Sequence, residues 1–220
     1  MPPIAEAARA TSVSQQKSRA FWLKHLHQWH WISAAGCLVG LILFSITGFT
    51  LNHANVIKAQ PKVTSRIAEL PADLLTELQA ASAASDEAIR PLPRTVARWL
   101  QQELAIQPTS DNIEWSDDEV YISLPRPGGD AWLTLDLDSG AATHEVTDRG
   151  WISYFNDLHK GRNAGPAWSL FIDVFAFAAL IFAVTGLFLL KMHAVHRPAT
   201  WPMVGLGLVL PLLLAILFIH

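Results

Sequence analysis

The chain has 220 residues and a formal net charge of -3; 51% of its residues are hydrophobic and 16% are charged. This length could form one soluble domain, but the apolar residues are concentrated in three blocks. The single cysteine, Cys37, excludes an intramolecular disulfide, a Cys-x-x-Cys pair, a cysteine-ligated iron–sulfur cluster and a cysteine-rich zinc site. Any redox chemistry therefore needs another carrier.

The three blocks are long enough to cross a membrane. They cover residues 32–51, 168–190 and 201–219, and about 20 helical residues span a hydrocarbon core of roughly 30 Å. Only Asp173 carries a formal charge inside them. The first block is longer than the core of a cleaved signal peptide and follows a long polar leader, so we predict an uncleaved anchor. Aromatic residues near the block ends support three spans: Trp22, Trp29, Trp31, Trp151, Trp168 and Trp201.

Positive charges predict the orientation of the chain. They precede the first block and lie between the last two, which favours an inside N-terminus. The predicted order is an inner N-terminal segment (1–31), a first transmembrane helix (32–53), an outer domain (54–165), a second transmembrane helix (166–193), an inner loop (194–200) and a third transmembrane helix (201–220).

The polar middle of the chain shows helical and strand patterns in turn. Residues 70–107 are predicted as helical pieces broken by Pro91 and Pro93, and RTVARWLQQEL (94–104) is the best amphipathic stretch. NIEWS, EVYISLP, AWLTLDLD and AATHEVT then predict strands, with DSG (138–140) as a turn. We therefore predict one helix followed by a small antiparallel sheet. His144 stands alone here and is interpreted as a surface residue.

The other histidines all lie at the ends of the apolar blocks. They are His25, His27, His30, His53, His159, His193, His196 and His220. The segments FSITGFTLNH (44–53) and FAVTGLFLLKMH (182–193) also share a Thr-Gly pair, apolar residues and a histidine. Consecutive spans run in opposite directions, so this likeness predicts an inverted repeat with two equivalent sites.

Topology pairs these histidines across the first two spans. We expect His53 to face His159 on the outer side, and His27 or His30 to face His193 or His196 on the inner side. Two imidazoles from neighbouring helices suit axial ligation of iron, which predicts two b-type haems. His27 is favoured over His30, because it lies about 80° from His53 around a straight helix whereas His30 lies about 140° away.

Glycines and cations near the histidines fit the same cofactor. Gly48 and Gly186 would let a flat macrocycle approach the backbone, and Lys160 and Arg162 beside His159 would donate hydrogen bonds to haem propionates. For any one residue, interfacial anchoring and snorkelling is an equally good interpretation. Zinc or copper without haem is a second option, although no carboxylate or thiol joins the histidines at ligand spacing. Asp173 could move protons, bond a ligand histidine or pack against another helix.

Three segments carry a resemblance to a known family. They are LHQWHWISAAGCLVGLILFSITG (26–48), FNDLHKGRNAG (155–165) with Trp168 and Asp173 after it, and LTLDLDSGAATHEV (133–146). Together they resemble the PepSY-associated transmembrane family of bacterial inner-membrane proteins over residues 20–220, with His27 and His159 at family histidines. The resemblance implies a mainly α membrane protein, with three transmembrane helices and a small periplasmic α+β (PepSY-like) domain between the first and second.

The resemblance also implies a function. Similar proteins are haem-dependent transmembrane ferric reductases that pass electrons to periplasmic ferric iron or ferrisiderophores in iron acquisition. The donor would be quinol or a separate flavoprotein, because the chain has no GxGxxG motif, and no nucleic-acid partner is expected. Larger relatives have four spans, so a homodimer could complete the haem site. The alternative is a non-enzymatic, membrane-anchored PepSY-like module that binds or regulates a periplasmic partner.

Overall fold

The computed structural model describes residues 3–84, 89–194 and 197–219. Six helices are present in these ranges: α1 (Pro3–Asn52), α2 (Ala72–Ala83), α3 (Arg94–Glu103), α4 (Trp151–Lys160), α5 (Pro166–His193) and α6 (Thr200–Phe218). Five strands are present: β1 (Lys62–Glu69), β2 (Ile113–Trp115), β3 (Glu119–Ser123), β4 (Gly129–Asp136) and β5 (Ala141–Asp148). The chain divides into two compact units, residues 1–42 with 171–220 and residues 43–170, and each is described by itself.

Three helices are long and apolar enough to cross a membrane, which confirms the number of predicted spans. They comprise Gln16–Asn52 of α1, Pro166–His193 and Thr200–Phe218. The chain is therefore a multi-pass membrane protein. Helix α1 begins well before the first apolar block, so His25, His27 and His30 lie on the same helix as the span. No residue of α6 is buried, as expected for a helix whose side chains are apolar all round.

The polar middle folds around a five-stranded antiparallel sheet with the order β1-β5-β4-β3-β2. Strands β3 and β4 alternate buried and partly exposed residues, as the two-residue period of a strand requires. Val120, Ile122, Leu133 and Leu135 are the buried members and belong to one core. The four strands predicted from alternation are confirmed.

Helices α2 and α3 complete this core. Leu78 of α2 and Val96 and Leu100 of α3 are fully buried in the same cluster as the sheet residues. Pro71 precedes α2 and Pro93 precedes α3. Proline is tolerated at the start of a helix, because an N–H at that position has no hydrogen-bond partner within the helix. The sheet and its two helices form the α+β domain that the sequence predicts between the first two spans.

The order of elements in this domain differs from the prediction. A strand, β1, comes before the helices, and there are two helices rather than one. The sequence of β1, KVTSRIAE, has no clear alternation because it is an edge strand on which only Ala68 is even partly buried. Helix α4 is a further helix of this region that the sequence patterns did not predict.

The predicted turn before β5 is held by one carboxylate. Asp136 accepts hydrogen bonds from the Ser139 backbone N–H and from the Ser139 hydroxyl, both at 2.7 Å. The Ser139 side chain and backbone lower the pKa of Asp136 below its ordinary value. Gly140 then adopts a φ of +74°, which glycine accepts without strain.

His144 is half-buried rather than a simple surface residue. It lies opposite the buried Leu133 on β4 and opposite Arg66 on β1. Burial lowers the pKa of His144 below 6.5, and the nearby Arg66 cation lowers it further. The folded chain therefore holds this imidazole neutral where the unfolded chain would protonate it.

This shift predicts a pH dependence of stability. Because the folded pKa is depressed, the unfolded state binds more protons below about pH 6.5, and the free energy of unfolding falls as the pH drops through that region. We expect wild type to lose more stability than His144→Asn between pH 7.5 and 5.5, measured by denaturant unfolding of the purified protein followed by tryptophan fluorescence. Asp136 titrates at lower pH and does not enter this window. Equal losses in the two proteins would refute the assignment.

Candidate cofactor sites at the histidines

His159 is held against α1 by two pairs of side chains. Its Nδ1 lies 2.6 Å from the Thr47 hydroxyl oxygen, and one turn away the Thr50 hydroxyl donates to the Asn156 side-chain oxygen at 2.6 Å. Asn156 is buried. Residues three apart share one helix face, so Thr47 and Thr50 contact the same face of α4. Thr47 contacts His159, and Thr50 contacts Asn156. We call His159, Phe44, Thr47 and Gly48 the His159 cradle.

His30 is held in the same way between α1 and α5. Its Nδ1 lies 3.0 Å from the Thr185 hydroxyl oxygen and 3.1 Å from the Phe182 carbonyl oxygen. Thr185 is one of the few buried polar residues among those described. We call His30, Phe182, Thr185 and Gly186 the His30 cradle.

The two cradles have the same composition in the same order. Each uses a Phe-x-x-Thr-Gly segment, 44–48 in one and 182–186 in the other. The His159 ring centre lies 4.8 Å from that of Phe44, and the His30 ring stacks on Phe182 at 4.6 Å. The repeat is thus present in three dimensions. The histidine at each Thr-Gly pair comes from another helix: His159 of α4 contacts Thr47, and His30 of α1 contacts Thr185. The histidines that follow the pairs in sequence, His53 and His193, do not occupy these positions.

Hydrogen bonding fixes which ring nitrogen is available on these histidines. Nδ1 lies 2.6–3.1 Å from an oxygen in His25, His27, His30, His53, His159 and His193. A carbonyl can only accept, so Nδ1 carries the hydrogen wherever the partner is a carbonyl. Thr47 donates its own hydroxyl to Leu43 at 2.9 Å and therefore accepts from His159. In each neutral ring the free lone pair is therefore on Nε2. Metal-ligating histidines commonly use one nitrogen for the metal while the other donates a hydrogen bond that orients the ring.

His27, in the middle of α1, lies beside His193 at the C-terminal end of α5. Their ring centres are 5.9 Å apart with the planes nearly perpendicular. This separation would leave room for a metal ion between the two rings, since metal–nitrogen bonds to histidine are about 2.0 Å long. An apolar groove of about 650 Å³ follows α5 from Phe182 to His193 and includes His30. We call His27, His30 and His193 the α1–α5 histidine cluster.

His53 is near the same helix end as the His159 cradle but is bonded within α1. Its Nδ1 donates to the Phe49 carbonyl at 2.9 Å, and its ring tilts on Phe49 at 4.3 Å. In the described part of the chain, the rings of His53 and His159 make no direct contact. Their pairing on one iron remains a prediction. His25 is likewise bonded to its own helix, to Phe21 at 2.9 Å.

Helix α4, which carries His159, is fixed near its C-terminal end. Near its C-terminus Asp157 accepts a hydrogen bond from the Gly128 backbone N–H at 2.9 Å, which attaches the helix to the turn before β4. Gly161 ends the helix with a φ of 67°, and Trp168 donates its indole N–H to the Leu158 carbonyl at 2.8 Å. Position and tilt of His159 therefore depend on the sheet domain.

The remaining predicted site residues have simpler surroundings. Lys160 and Arg162 are exposed, and within the described residues neither has a carboxylate at ion-pair distance. Asp173 is exposed on α5. His196 and His220 lie outside the described residues.

The sequence patterns indicated the Thr-Gly pairs but gave Thr47, Thr185, Phe44 and Phe182 no role. The repeated Phe-x-x-Thr-Gly pattern was the signal that could have identified all four.

The two cradle glycines predict different responses to alanine. A Cβ at Gly186 would lie 3.3 Å from His30 Cε1, whereas a Cβ at Gly48 would lie at an ordinary 3.6 Å from His159 Cε1. We expect Gly186→Ala to displace the His30 ring and to cost about 1 kcal/mol, and Gly48→Ala to leave His159 in place. Side-chain ¹⁵N spectra of histidine-labelled protein report ring position. Gly36→Ala, with open space at its Cβ, is the control; an unmoved His30 in Gly186→Ala would contradict the cradle.

Comparison with known proteins gives one match. The family described as PepSY_TM-like matches residues 21–220. No curated protein and no solved structure matches the chain.

Proposed function

We propose an electron-transfer function for this chain, which belongs to the PepSY_TM-like family. In this proposal it is a b-type cytochrome of the bacterial inner membrane that reduces periplasmic ferric iron or a ferrisiderophore during iron acquisition. The observation that carries the proposal is the set of histidines on α1, α4 and α5 whose Nδ1 atoms are all hydrogen-bonded, which leaves Nε2 free to ligate.

We assign the histidines to two haem groups. His27 and His193 would hold one, since their rings are 5.9 Å apart beside an apolar groove of about 650 Å³, within the usual size range of cofactor clefts. His30 lines the same groove and is the alternative partner of His193. His159 and His53 would hold the other, with Lys160 and Arg162 available for its propionates.

The chain's own side chains would orient the ligands and exclude water. Haem supplies one-electron chemistry, and its potential depends on axial ligands and on hydrogen bonds to them. Thr47 and Thr185 hold His159 and His30 through Nδ1, which fixes the ring orientation and the tautomer. Apolar residues such as Phe182 and Leu187 line the groove beside His30 and His193 and would help to exclude water from a group bound there.

A cavity of about 600 Å³ supports an acceptor site near His159. It lies between the residues that follow α1 and the start of α4, and Lys58, Trp151 and Asn156 are among its lining residues. Asn156 also accepts the Thr50 hydrogen bond one turn from His159, so a molecule in this cavity would lie close to the His159 cradle. Lys58 and the aromatic Trp151 suit an anionic, partly apolar iron chelate.

The remaining parts of the proposal concern donor, orientation and assembly. Quinol or a separate flavoprotein would deliver electrons at the α1–α5 histidine cluster on the cytoplasmic side, and residues 54–165 would face the periplasm. A homodimer would enclose histidines that one chain leaves exposed.

An absorption spectrum of the purified, haem-supplied protein tests the proposal. Bis-histidine haem gives sharp bands on reduction, and addition of a ferric chelate to the reduced protein should return the oxidised spectrum. A colourless protein would refute the proposal and would favour the alternative of a membrane-anchored module that binds a periplasmic partner.

A further inference from the structure

A second groove between α1 and α5 differs in character from the histidine groove. It encloses about 540 Å³ and is lined by Arg19, Trp22 and Leu26 of α1 and by Phe188, Lys191 and Met192 of α5, with Ser18 at its edge. The Arg19 guanidinium lies 3.5 Å from the Met192 carbonyl oxygen, which links the two helices at this level. Neither cation belongs to the proposed haem ligands.

The two cations of this groove lie close together, and apolar residues of both helices flank them. Leu26 lies seven residues beyond Arg19 on α1, a rise of about 10 Å along the helix. The two helices are antiparallel, since Gly40 meets Phe175 while His27 meets His193. The Arg19 side chain extends along α1 to the Met192 carbonyl oxygen, which places its guanidinium next to Lys191 on α5. Phe188 lies about one turn further into the span. Trp22 lies between Arg19 and Leu26 on α1, as expected for an aromatic ring at a membrane interface.

The electrostatics of the groove select an anion. None of its described lining residues is acidic, and within the described ranges neither Arg19 nor Lys191 has a carboxylate at ion-pair distance. Two cations without a counter-ion favour a group such as phosphate, which the arginine fork binds through two parallel hydrogen bonds. Quinol oxidation would need a carboxylate or imidazole to take a proton, and the described lining has neither.

We infer that this groove binds an anionic phospholipid, with the phosphate between Arg19 and Lys191 and an acyl chain along Trp22, Leu26 and Phe188. A basic recess between transmembrane helices at the membrane surface suits a lipid head group, and the apolar part of the groove suits the chain that a free phosphate lacks. The inference does not depend on the proposed electron transfer.

Lipid retention by the purified full-length protein tests this inference. Native mass spectrometry would compare phosphatidylglycerol with phosphatidylcholine of the same acyl chains. We expect wild type to retain phosphatidylglycerol preferentially, with about fivefold weaker binding in Arg19→Gln and about thirtyfold weaker binding in Arg19→Gln with Lys191→Gln, since each cation near an anionic lipid contributes independently. The matched control is Lys24→Gln, also on α1 but outside the groove, and it should bind as wild type does.

Several outcomes would overturn the inference. Equal retention of the two lipids, an equal loss in Lys24→Gln, or displacement of phosphatidylglycerol by inorganic phosphate at similar concentration would each do so. The charge-conserving variant Arg19→Lys with Lys191→Arg should keep most of the binding, which separates loss of charge from loss of fold. Loss of haem without loss of lipid in Arg19→Gln would assign the cations to the cofactor instead. A colourless protein that still selects phosphatidylglycerol would refute the proposed function and leave this inference standing.

Discussion

Replacing His193 with alanine is expected to remove one of about two haem equivalents per chain from the purified protein, because a single imidazole would remain at the α1–α5 histidine cluster. His27→Ala should have the same effect, since the His27 ring is 5.9 Å from that of His193. His159→Ala should remove the other equivalent. Pyridine haemochrome content per chain measures each loss.

The control for these variants is His25→Ala. The His25 ring packs on Phe21 of its own helix at 4.1 Å and belongs to neither proposed site, so its removal should leave the haem content unchanged. If His27→Ala keeps its haem and His30→Ala loses it, the ligand of this cluster is His30. Full haem content in His193→Ala would exclude this cluster as a haem site.

Gly129→Ala is expected to destabilise the sheet domain by about 3 kcal/mol, the upper end of the usual cost of overpacking. A Cβ at Gly129 would overlap the Thr147 carbonyl oxygen of the neighbouring strand, and backbone atoms cannot move away as a side chain can. The adjacent Gly128 N–H holds Asp157 on α4. We therefore expect a change at His159 as well, visible in its side-chain ¹⁵N shifts.

Gly150→Ala is the comparison for this prediction. Gly150 has open space at its Cβ, but its φ of +83° and ψ of 176° are readily adopted only by glycine, so we expect backbone strain of about 1–3 kcal/mol without a steric clash. Chemical unfolding followed by tryptophan fluorescence measures both variants. Similar small losses in the two would show that β4 and β5 can separate at Gly129 without cost.

Much of the fold was predictable because its signals are local. The length of the apolar blocks indicates the spans, and the alternation in EVYISLP and AWLTLDLD indicates strands with one buried face. Strand β1 gave no such signal, because an edge strand with little burial has no need to alternate. Helix α4 could not be predicted as a separate helix, because its aromatic residues resemble those at the membrane-interface end of the span that follows it.

The histidine sites were predictable only in part, for a different reason. Sequence repetition indicated two equivalent Thr-Gly sites, but it could not show which histidine meets each pair, because that depends on how two helices pack. Rotation around a straight helix favours His27, and His27 does lie beside His193. The sequence could not show that the His30 ring lies against Gly186. Nor could it show that His159 is carried by a separate helix, α4, and contacts Thr47 from there.

The histidines of α1, α4 and α5 keep their Nδ1 hydrogens on carbonyl and hydroxyl oxygens within the protein, which fixes the tautomer of each neutral ring. Under the proposed function, an electron would cross the bilayer by way of these residues. Moving one elementary charge through 100 mV changes the free energy by about 2.3 kcal/mol. We expect the extent of transfer to change with the transmembrane voltage.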